Sequence, residues 1–590
     1  MKVSSFKSVT PNIKALLQVA LLGASLLAGI SCSLASEDEL PRKALPYISD
    51  DRLAKPEPEN WLNWRRTQDG HGFSPLRQID RNNVSQLQQV WRAPLQQGAN
   101  MAAPLVHNGV MFLMSTPDTV MALDAASGEQ LWSYRHPLSR PADAKIGIAL
   151  HGDKVLVPTS DLQVLALQAS TGALIWSHQI QTDIQPETAY SLRSSPLIAG
   201  NRIIQGVAAS TAPGGGFIVG LDLETGEEAW RFHGVARPDG PGGNSWNGLS
   251  LHERSGGSIW MPGTYDPALD LTYFGIAPTL DTAPLLADPP RPGLTNAALY
   301  TNATVALRPT TGELVWFYQH MANDQWDMDW AYERQIIETT VEGLNRKIVL
   351  TAGKLALFDG LDAATGAYLF SIDMGLQNFV TEIDSRTGRK TLSPEAIPSA
   401  DSSALLCPFS GGGRNWQATS YNPHSGVLFV PMAEMCFQGG PTGQPNQLLS
   451  SGAAVVPRPM PGGNRQFGRW QAVDLASQEL MWMHRQTMPP VSAVISTAGG
   501  LVFAGALDNS LMALDDRSGE ILWRTQLGDV PASFPISYSV DGKQFIAVVV
   551  GQPSLHASIF TGLVGAFLGN ANHLSQLQRE GAAIEVYALP

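Results

Sequence analysis

Charged residues are scarce in this 590-residue chain, where Asp, Glu, Lys and Arg together make up 15%, against about 25% in an average soluble domain. Acidic residues outnumber basic ones by 52 to 39, which gives a formal net charge of −13. The sequence contains no block of Lys and Arg. Because nucleic-acid binding depends on clustered cations that neutralise phosphates, this composition argues against a nucleic-acid partner.

Cysteine is also rare, with only three copies, at positions 32, 407 and 436. No Cys-x-x-Cys-His sequence occurs, so the chain lacks the attachment motif of a c-type haem. In an oxidising compartment an isolated pair of cysteines is a candidate disulfide. We therefore expect Cys407 and Cys436 to pair.

The chain lacks an apolar run of the about 20 residues that a membrane-spanning helix needs. Its apolar stretch from Ala15 to Ile30 follows a lysine-containing start and precedes small residues that end at Ala35. This order is typical of a secretory signal peptide, so we predict that residues 1–35 are removed and that the protein is periplasmic. Acylation of Cys32 as a lipoprotein is an alternative, although Gly29 stands where such sites usually have Leu.

Glycine and proline are plentiful, with 56 and 41 copies, and many of them belong to a phrase that recurs along the chain. The phrase is an apolar stretch, a polar turn that usually ends in Thr-Gly or Ser-Gly, and a second apolar stretch that ends in an aromatic residue. Seven copies occupy residues 122–132, 166–176, 220–230, 306–316, 360–370, 472–482 and 513–523. Asp, Ser and Thr in the turn can bond the local backbone, and Gly allows a positive φ.

Each phrase predicts two strands, and a further alternating run before most copies predicts two more. Units of about 40–50 residues with four strands and a tryptophan are typical of a β-propeller. We predict an all-β, eight-bladed propeller that forms a single unit over residues 36–590. The eighth blade would combine Lys543–Val550 and Ala583–Leu589 with an N-terminal strand near Trp61–Arg66. Two or three β-sandwich domains are the alternative.

Three local motifs resemble those of the quinoprotein alcohol dehydrogenase family. They are Trp326-Asp-Met-Asp329, the stretch from Cys407-Pro through Gly-Arg-Asn-Trp416 to Cys436, and Thr497-Ala-Gly-Gly-Leu-Val-Phe503. The aromatic-ended repeats are similar to that family's tryptophan-docking motifs. The resemblance implies an eight-bladed propeller with pyrroloquinoline quinone on its axis.

The resemblance also assigns catalytic roles. Asp327 would take the proton of the substrate hydroxyl, since a carboxylate beside a Lewis-acidic metal suits that task. Lys354 would bond the reactive quinone oxygen and stabilise negative charge there. Trp260 would stack on the quinone plane, because indole offers a large aromatic face. Ser258 and Thr159 match hydroxyl positions that bond the cofactor.

Asn415 and Trp416 resemble further polar contacts to the quinone. The resemblance implies Ca²⁺ or a lanthanide ion, held by Asp327 with Asp329 and Thr211. Here the chain departs from the family pattern: Thr211 and Pro278 stand where the family has Glu and Asn ligands, and hydroxyls are poorer ligands for hard cations than carboxylates.

Two further departures concern the cofactor itself. Met101 occupies a position where alcohol-oxidising relatives often have Glu. Ile146, next to Lys145, replaces an arginine that binds a cofactor carboxylate. Asp324, three residues before Asp327, is a further acid near the catalytic motif. The alternative to a functional role is that its side chain caps a turn.

Residues 558–569, Ser-Ile-Phe-Thr-Gly-Leu-Val-Gly-Ala-Phe-Leu-Gly, are too few to span a membrane. We expect a buried loop at the cofactor end of the propeller, with a substrate lid and a docking surface as alternatives.

Together these features predict a periplasmic quinone-dependent dehydrogenase that oxidises an alcohol and passes electrons to a separate carrier such as cytochrome c. A sugar or polyol dehydrogenase, and a non-catalytic scaffold on the same fold, are the alternatives.

Overall fold

The computed structural model describes residues 45–590, except 183, 185–188, 445–447, 552–554, 570–573, 575 and 578. The predicted signal peptide and Cys32 lie outside the described residues. Because residues 36–44 also lie outside them, the extent of the predicted single unit stays a prediction.

Eight antiparallel four-stranded sheets, called blades 1 to 8, contain most strands of the described residues. Blade 1 comprises β3 (Leu105–His107), β4 (Val110–Ser115), β5 (Thr119–Asp124) and β6 (Gln130–Arg135). Blade 2 comprises β7 (Ala149–His151), β8 (Lys154–Pro158), β9 (Gln163–Gln168) and β10 (Leu174–Gln179). Blade 3 comprises β11 (Leu197–Ala199), β12 (Arg202–Val207), β13 (Phe217–Asp222) and β14 (Glu228–His233). Blade 4 comprises β15 (Thr264–Asp266), β16 (Leu271–Gly275), β17 (Ala303–Leu307) and β18 (Leu314–Gln319).

The remaining four blades follow the same plan. Blade 5 comprises β19 (Gln335–Val341), β20 (Leu344–Ala352), β21 (Leu357–Asp362) and β22 (Tyr368–Asp373). Blade 6 comprises β26 (Ser420–Asn422), β27 (Val427–Ala433), β30 (Gly468–Asp474) and β31 (Glu479–Gln486). Blade 7 comprises β32 (Ile495–Thr497), β33 (Leu501–Ala506), β34 (Ser510–Asp515) and β35 (Ile521–Gln526), with β1 (Phe73–Ser74) added in parallel. Blade 8 comprises β36 (Ile536–Val540), β37 (Lys543–Val550), β38 (Ala583–Ala588) and β2 (Gln88–Pro94).

The other described elements are small. A hairpin, β23 (Val380–Ile383) and β24 (Lys390–Leu392), and a three-stranded sheet, β25 (Ala404–Leu406), β28 (Met435–Gly439) and β29 (Val455–Pro459), lie between blades 5 and 6 in the sequence. The helices are α1 (Asp50–Ala54), α2 (Ala283–Leu286) and α3 (Leu555–Leu568), with 3₁₀ turns at Val84–Gln86, Gly243–Ser245, Leu251–Glu253 and Pro394–Ala396. No described helix has the length and apolar character needed to cross a bilayer.

The repeated phrase forms the contact between neighbouring blades. In blade 1, Asp124 accepts hydrogen bonds from the backbone of its own turn, as predicted. The ring of Trp132 lies over Gly172 of blade 2, where a Cβ atom would come within 2.5 Å of the indole. The same indole donates a hydrogen bond to the Ala169 carbonyl at 2.9 Å. The glycine therefore provides both a left-handed turn, with φ of +73°, and space for the tryptophan.

The ring closes through a strand other than the predicted one. Trp61–Arg66 does not pair with the C-terminal strands; β2 (Gln88–Pro94) pairs antiparallel with β38. Within β2, Trp91 lies over Gly128 of blade 1 in the same way that Trp132 lies over the next blade. This strand lacks the Thr-Gly turn of the repeats because its partner comes from the far end of the sequence.

The residues near Trp61 instead form an N-terminal segment, residues 48–74, that contacts every blade. Its backbone or side chains bond to blades 1 to 8 at Val106, Gly152, Ile198, Tyr265, Ile336, Tyr421, Thr497 and Ser539, respectively. The contacts on blades 4 to 7 fall on the first strand of each blade. The segment thus ties the first strands of the ring together.

The expected buried loop at residues 558–569 is wrong, because most of this stretch forms α3. Ala557, Phe560 and Val564 are buried at helical spacing, while Leu555 is 80% exposed. The sequence has two glycines in the helix, which disguised this spacing.

Candidate active site

A cavity of about 460 Å³ lies beside the loops that lead into the first strands of blades 4, 5 and 6. Six predicted site residues line it: Thr211, Ser258, Trp260, Asp327, Asp329 and Asn415. Lys354 contacts two of them, whereas Thr159 and Trp416 are not among the described lining residues. The topology therefore brings residues from four separate loops to one place.

The centre of the site is a lysine between two carboxylates. The Lys354 Nζ atom lies 2.8 Å from Asp327 Oδ2 and 2.9 Å from Asp329 Oδ2, and it also donates to the Asp327 carbonyl. Gly353 allows this approach, because a Cβ atom there would lie 2.6 Å from the Asp329 carbonyl. That carbonyl accepts a hydrogen bond from the Lys354 backbone. Both acids thus present a carboxylate oxygen to the same ammonium.

The two acids lie in an irregular segment before β19. Asp327 has a left-handed backbone, with φ of +61°, which is uncommon for a residue other than glycine. Burial raises the pKa of Asp327 to about 7, against the lowering effect of Lys354 and with a further raising effect of Asp329. Burial alone lowers the pKa of Lys354, but the two carboxylates outweigh it and raise that pKa. Lys354 therefore stays charged, while Asp327 is poised to exchange a proton near neutral pH.

An aromatic wall closes one side of the cavity. Trp260 lines it and packs edge-on against Tyr332, with ring centroids 5.7 Å apart. Ser258, two residues earlier, accepts a hydrogen bond from the Ala209 backbone through its hydroxyl. The indole face of Trp260 is thereby fixed next to a polar rim.

Asn415 reaches the cavity from a loop that the predicted disulfide braces. Cys407 and Cys436 form that disulfide, which confirms the expectation. The Asn415 side chain donates to the Gly411 carbonyl at 2.8 Å and accepts from the Trp416 backbone. Trp416 itself is buried, and its indole N–H has no partner among the described residues.

The two predicted threonines differ in their places: Thr159 lies away from the cavity lining, whereas Thr211 is part of it. The Thr159 hydroxyl donates to Asp161 at 2.6 Å and accepts from the Gln163 backbone within the turn after β8. Thr211 is exposed at the cavity and has no hydrogen bond among the described residues. The roles of both residues stay predictions.

The departures from the family pattern also have defined places. Pro278 lines the cavity, whereas Met101 and Ile146 are buried in the apolar core. The Lys145 ammonium donates to the Leu192 carbonyl, and burial lowers its pKa to about 8. Lys145 thus bonds a backbone carbonyl in the interior and is not part of the cavity lining.

Sequence reasoning missed two arginines that line the cavity, Arg140 and Arg193. Arg193 is next to Ile146 in space, since the Ile146 N–H donates to the Arg193 carbonyl at 2.8 Å. The Arg193 side chain is exposed. No motif marks these positions, because only the packing of loops from blades 2 and 3 brings them to the cavity.

Helix α3 forms the rim through Leu555, which lines the cavity. His556 anchors the helix: its Nε2 lies 2.9 Å from the Gly411 carbonyl, and its Nδ1 lies 3.1 Å from the Gln417 amide nitrogen. Burial lowers the pKa of His556 to about 4, so the ring is neutral at pH 7. The same Gly411 carbonyl accepts a hydrogen bond from the Asn415 side chain. This shared carbonyl connects α3 to the cavity wall.

Known proteins share this arrangement of blades. The sequence matches the PQQ family model described as "Glucose/ethanol/alcohol dehydrogenase, beta-propeller domain" over residues 61–376 and 450–546. Quinohemoprotein alcohol dehydrogenase ADH IIB of Pseudomonas putida is 30% identical over 523 residues, which cover 83% of this chain and 73% of the relative. The 1-butanol dehydrogenase (cytochrome c) of Thauera butanivorans is 27% identical over 83% of this chain and 74% of its own length.

A solved structure, quinohemoprotein alcohol dehydrogenase ADHIIG from Pseudomonas putida HK5, matches with a TM-score of 0.80 and 28% identity, over 93% of this chain and 83% of that one. The propeller prediction and the predicted family are both confirmed, and the sandwich alternative is excluded. This chain belongs to the pyrroloquinoline quinone-dependent alcohol dehydrogenase family of β-propeller oxidoreductases.

Proposed function

We propose that this protein oxidises a small alcohol in the cavity beside Trp260, with Asp327 as the base. One observation carries the proposal: Trp260, Asp327, Asp329 and Asn415 line the same cavity, and Lys354 bonds both acids. The arrangement puts an aromatic face, a base and a cation within one enclosed space.

The cavity fits a flat, multiply charged quinone. Its volume of about 460 Å³ is within the range of small-molecule sites, and Trp260 offers an aromatic surface for stacking. Ser258, Asn415 and the arginines supply polar contacts, of which Arg140 and Arg193 suit carboxylate groups. When bound, the quinone supplies the two-electron acceptor for a hydride from the alcohol carbon.

The chain's own residues handle the proton. With a pKa of about 7, Asp327 can accept the hydroxyl proton of the alcohol near neutral pH. Lys354 orients Asp327 through two hydrogen bonds, at 2.7 and 2.8 Å. Its positive charge also stabilises negative charge that develops beside it.

Asp327 and Asp329 are the residues that would hold Ca²⁺ or a lanthanide, with Thr211 nearby on the cavity wall. Each acid binds Lys354 through its Oδ2 atom, which leaves its Oδ1 atom without a hydrogen-bond partner among the described residues. In the described part of the chain, no group of three or more His, Cys, Asp or Glu side chains is placed so that it could hold a metal ion by itself. Because Ca²⁺ takes six to eight oxygen ligands, bound small molecules must complete the coordination. The ion would act as a Lewis acid on the substrate oxygen.

We propose that electrons leave to a separate carrier, a cytochrome c in the periplasm, since this sequence contains no c-type haem motif. The predicted signal peptide supports that location, and a relative named 1-butanol dehydrogenase (cytochrome c) supports that class of acceptor.

The test is turnover of the purified protein supplied with the quinone, Ca²⁺ or La³⁺, and an artificial electron acceptor. Asp327→Asn keeps the size of the side chain but removes the base, so we expect kcat to fall by about 10²–10⁴-fold. Asp266→Asn is the control, because Asp266 also pairs with a lysine, Lys347, at 2.9 Å but lies away from the cavity lining. Equal rates in Asp327→Asn and the wild type would refute the role of Asp327.

The substrate profile separates an alcohol dehydrogenase from a sugar or polyol dehydrogenase. If the purified protein binds no quinone in a calorimetric titration, the scaffold alternative is correct instead.

A further inference from the structure

The segment that carries both catalytic acids has no strand or helix of its own. Residues 324–330 are irregular up to the start of β19. A backbone without a hydrogen-bonded ladder must be fixed by other groups if its side chains are to keep one geometry. The position of Asp327 and Asp329 therefore depends on contacts made by this segment.

Two buried side chains make those contacts. Asp324 accepts hydrogen bonds from the backbone N–H groups of Trp326 and Met328, at 2.9 and 2.5 Å. The Asn302 side chain donates to Asp324 at 2.9 Å and accepts from the Trp330 N–H at 3.1 Å. The pair thus holds the alternate residues 326, 328 and 330.

The residues between these held positions are the two acids. Their carboxylates reach the Lys354 ammonium, at 2.8 and 2.9 Å, while the N–H groups on either side are bound to Asn302 and Asp324. Both of these side chains are almost fully buried, at 0% and 3% exposure, and neither lines the cavity.

We propose that Asn302 and Asp324 are positioning residues, which fix the Asp327–Asp329 pair for quinone binding and proton transfer without touching substrate or cofactor. The proposal rests on the proposed function of the cavity. It also extends the sequence-based interpretation of Asp324 as a turn cap, since the cap is shared with a residue from blade 4.

A matched position elsewhere in the ring allows a clean control. Asn302 directly precedes β17 of blade 4, and its carbonyl accepts from the His320 N–H. Asn509 directly precedes β34 of blade 7, and its carbonyl accepts from the Leu527 N–H. Both asparagines are fully buried and left-handed, with φ of +49° and +59°. Alanine at either position introduces the same backbone strain, but only Asn302 contacts the catalytic segment.

The experiment compares Asn302→Ala, Asn509→Ala and the wild type. Three quantities are measured: the quinone dissociation constant from quenching of tryptophan fluorescence, kcat and KM of the reconstituted enzyme, and the midpoint of thermal unfolding. We expect similar losses of thermal stability in both variants. Only Asn302→Ala should bind the quinone more weakly and lose about 10²-fold in kcat, as small misplacements of catalytic groups do, with little change in the alcohol KM.

A pair of exchanged residues tests the hydrogen bonds themselves. Asp324→Asn alone places an amide donor against the Asn302 amide, so it should resemble Asn302→Ala. Adding Asn302→Asp restores the bond between the two side chains and keeps an acceptor for the Trp330 N–H, while the Met328 N–H still lacks its acceptor. The double variant should therefore recover part of the quinone affinity and of kcat.

Two results would overturn the proposal. If Asn302→Ala and Asn509→Ala have the same quinone affinity and kcat, the pair serves only stability. If the exchanged double variant is no better than Asp324→Asn, the proposed bonds do not set the geometry. A wild-type protein that binds no quinone at all would instead refute the proposed function, and the positioning role with it.

Discussion

Replacing Lys354 by methionine tests whether one ammonium holds the two acids of the site together. The Lys354 side chain is 5% exposed and lies within 2.9 Å of Asp327 and Asp329. Removal of one partner from a buried ion pair costs about 3–5 kcal/mol, because the remaining charge is left uncompensated. We expect a loss of this size in the free energy of unfolding of the cofactor-free protein at pH 8, measured by urea denaturation.

The loss should be smaller at pH 5, since Asp327 has a raised pKa of about 7. A carboxyl group whose pKa is higher in the folded than in the unfolded state is protonated in the folded state at low pH. Its buried negative charge therefore lowers the free energy of unfolding only as the pH rises through that pKa. Lys154→Met is the control. Its ammonium lies 3.0 Å from the carboxylate of Glu224, which is 68% exposed, and pairs with such an exposed partner contribute about 0–1 kcal/mol. A loss in Lys354→Met no larger than in this control, or equal at both pH values, would refute the reasoning.

Three further outcomes are expected. Burial lowers the pKa of His556 to about 4, so as the pH falls below about 6.5 this histidine is protonated in the unfolded state before it is protonated in the folded state. Between pH 7 and 5 the free energy of unfolding of the wild type should therefore fall by about 2 kcal/mol more than that of His556→Gln. Parallel pH curves for the two proteins would contradict this. Replacing both Cys407 and Cys436, which are 29 residues apart, by serine should lower the free energy of unfolding by about 3–4 kcal/mol, because the unfolded chain gains entropy without the crosslink. An unchanged midpoint of urea denaturation would contradict this. Arg193→Gln should weaken quinone binding in titrations, more at low salt than at high salt, whereas salt-independent binding equal to the wild type would exclude a contact to a cofactor carboxylate.

The repeated phrase made the blades predictable because it encodes a local contact. A turn glycine with positive φ stands four residues before the aromatic that ends its own phrase, as Gly172 does before Trp176. The tryptophan of the preceding phrase, here Trp132, lies over that glycine. The two acids of the Trp-Asp-Met-Asp motif and Lys354 were identified in another way, through the resemblance of their motifs to the quinoprotein alcohol dehydrogenase family.

Non-local contacts were not predictable in this way. Trp91 closes the ring on a strand that pairs across almost the whole chain, so no hairpin turn marks it. Arg140 and Arg193 reach the cavity only through the packing of separate loops. The contact from Asn302 to Trp330 likewise crosses from one blade to the next, and a lone asparagine before a strand gives no sign of it.

The N-terminal segment, residues 48–74, gives this ring a property that its repeats alone would lack. In an array of repeats each unit contacts only its neighbours, so units can be lost one at a time. Here a single segment binds all eight blades through its backbone and the Gln68 side chain, and displacing any one blade disturbs a segment that the others share. The ring should consequently melt as a whole, and a cut within this short stretch would do more harm than a cut in any outer turn.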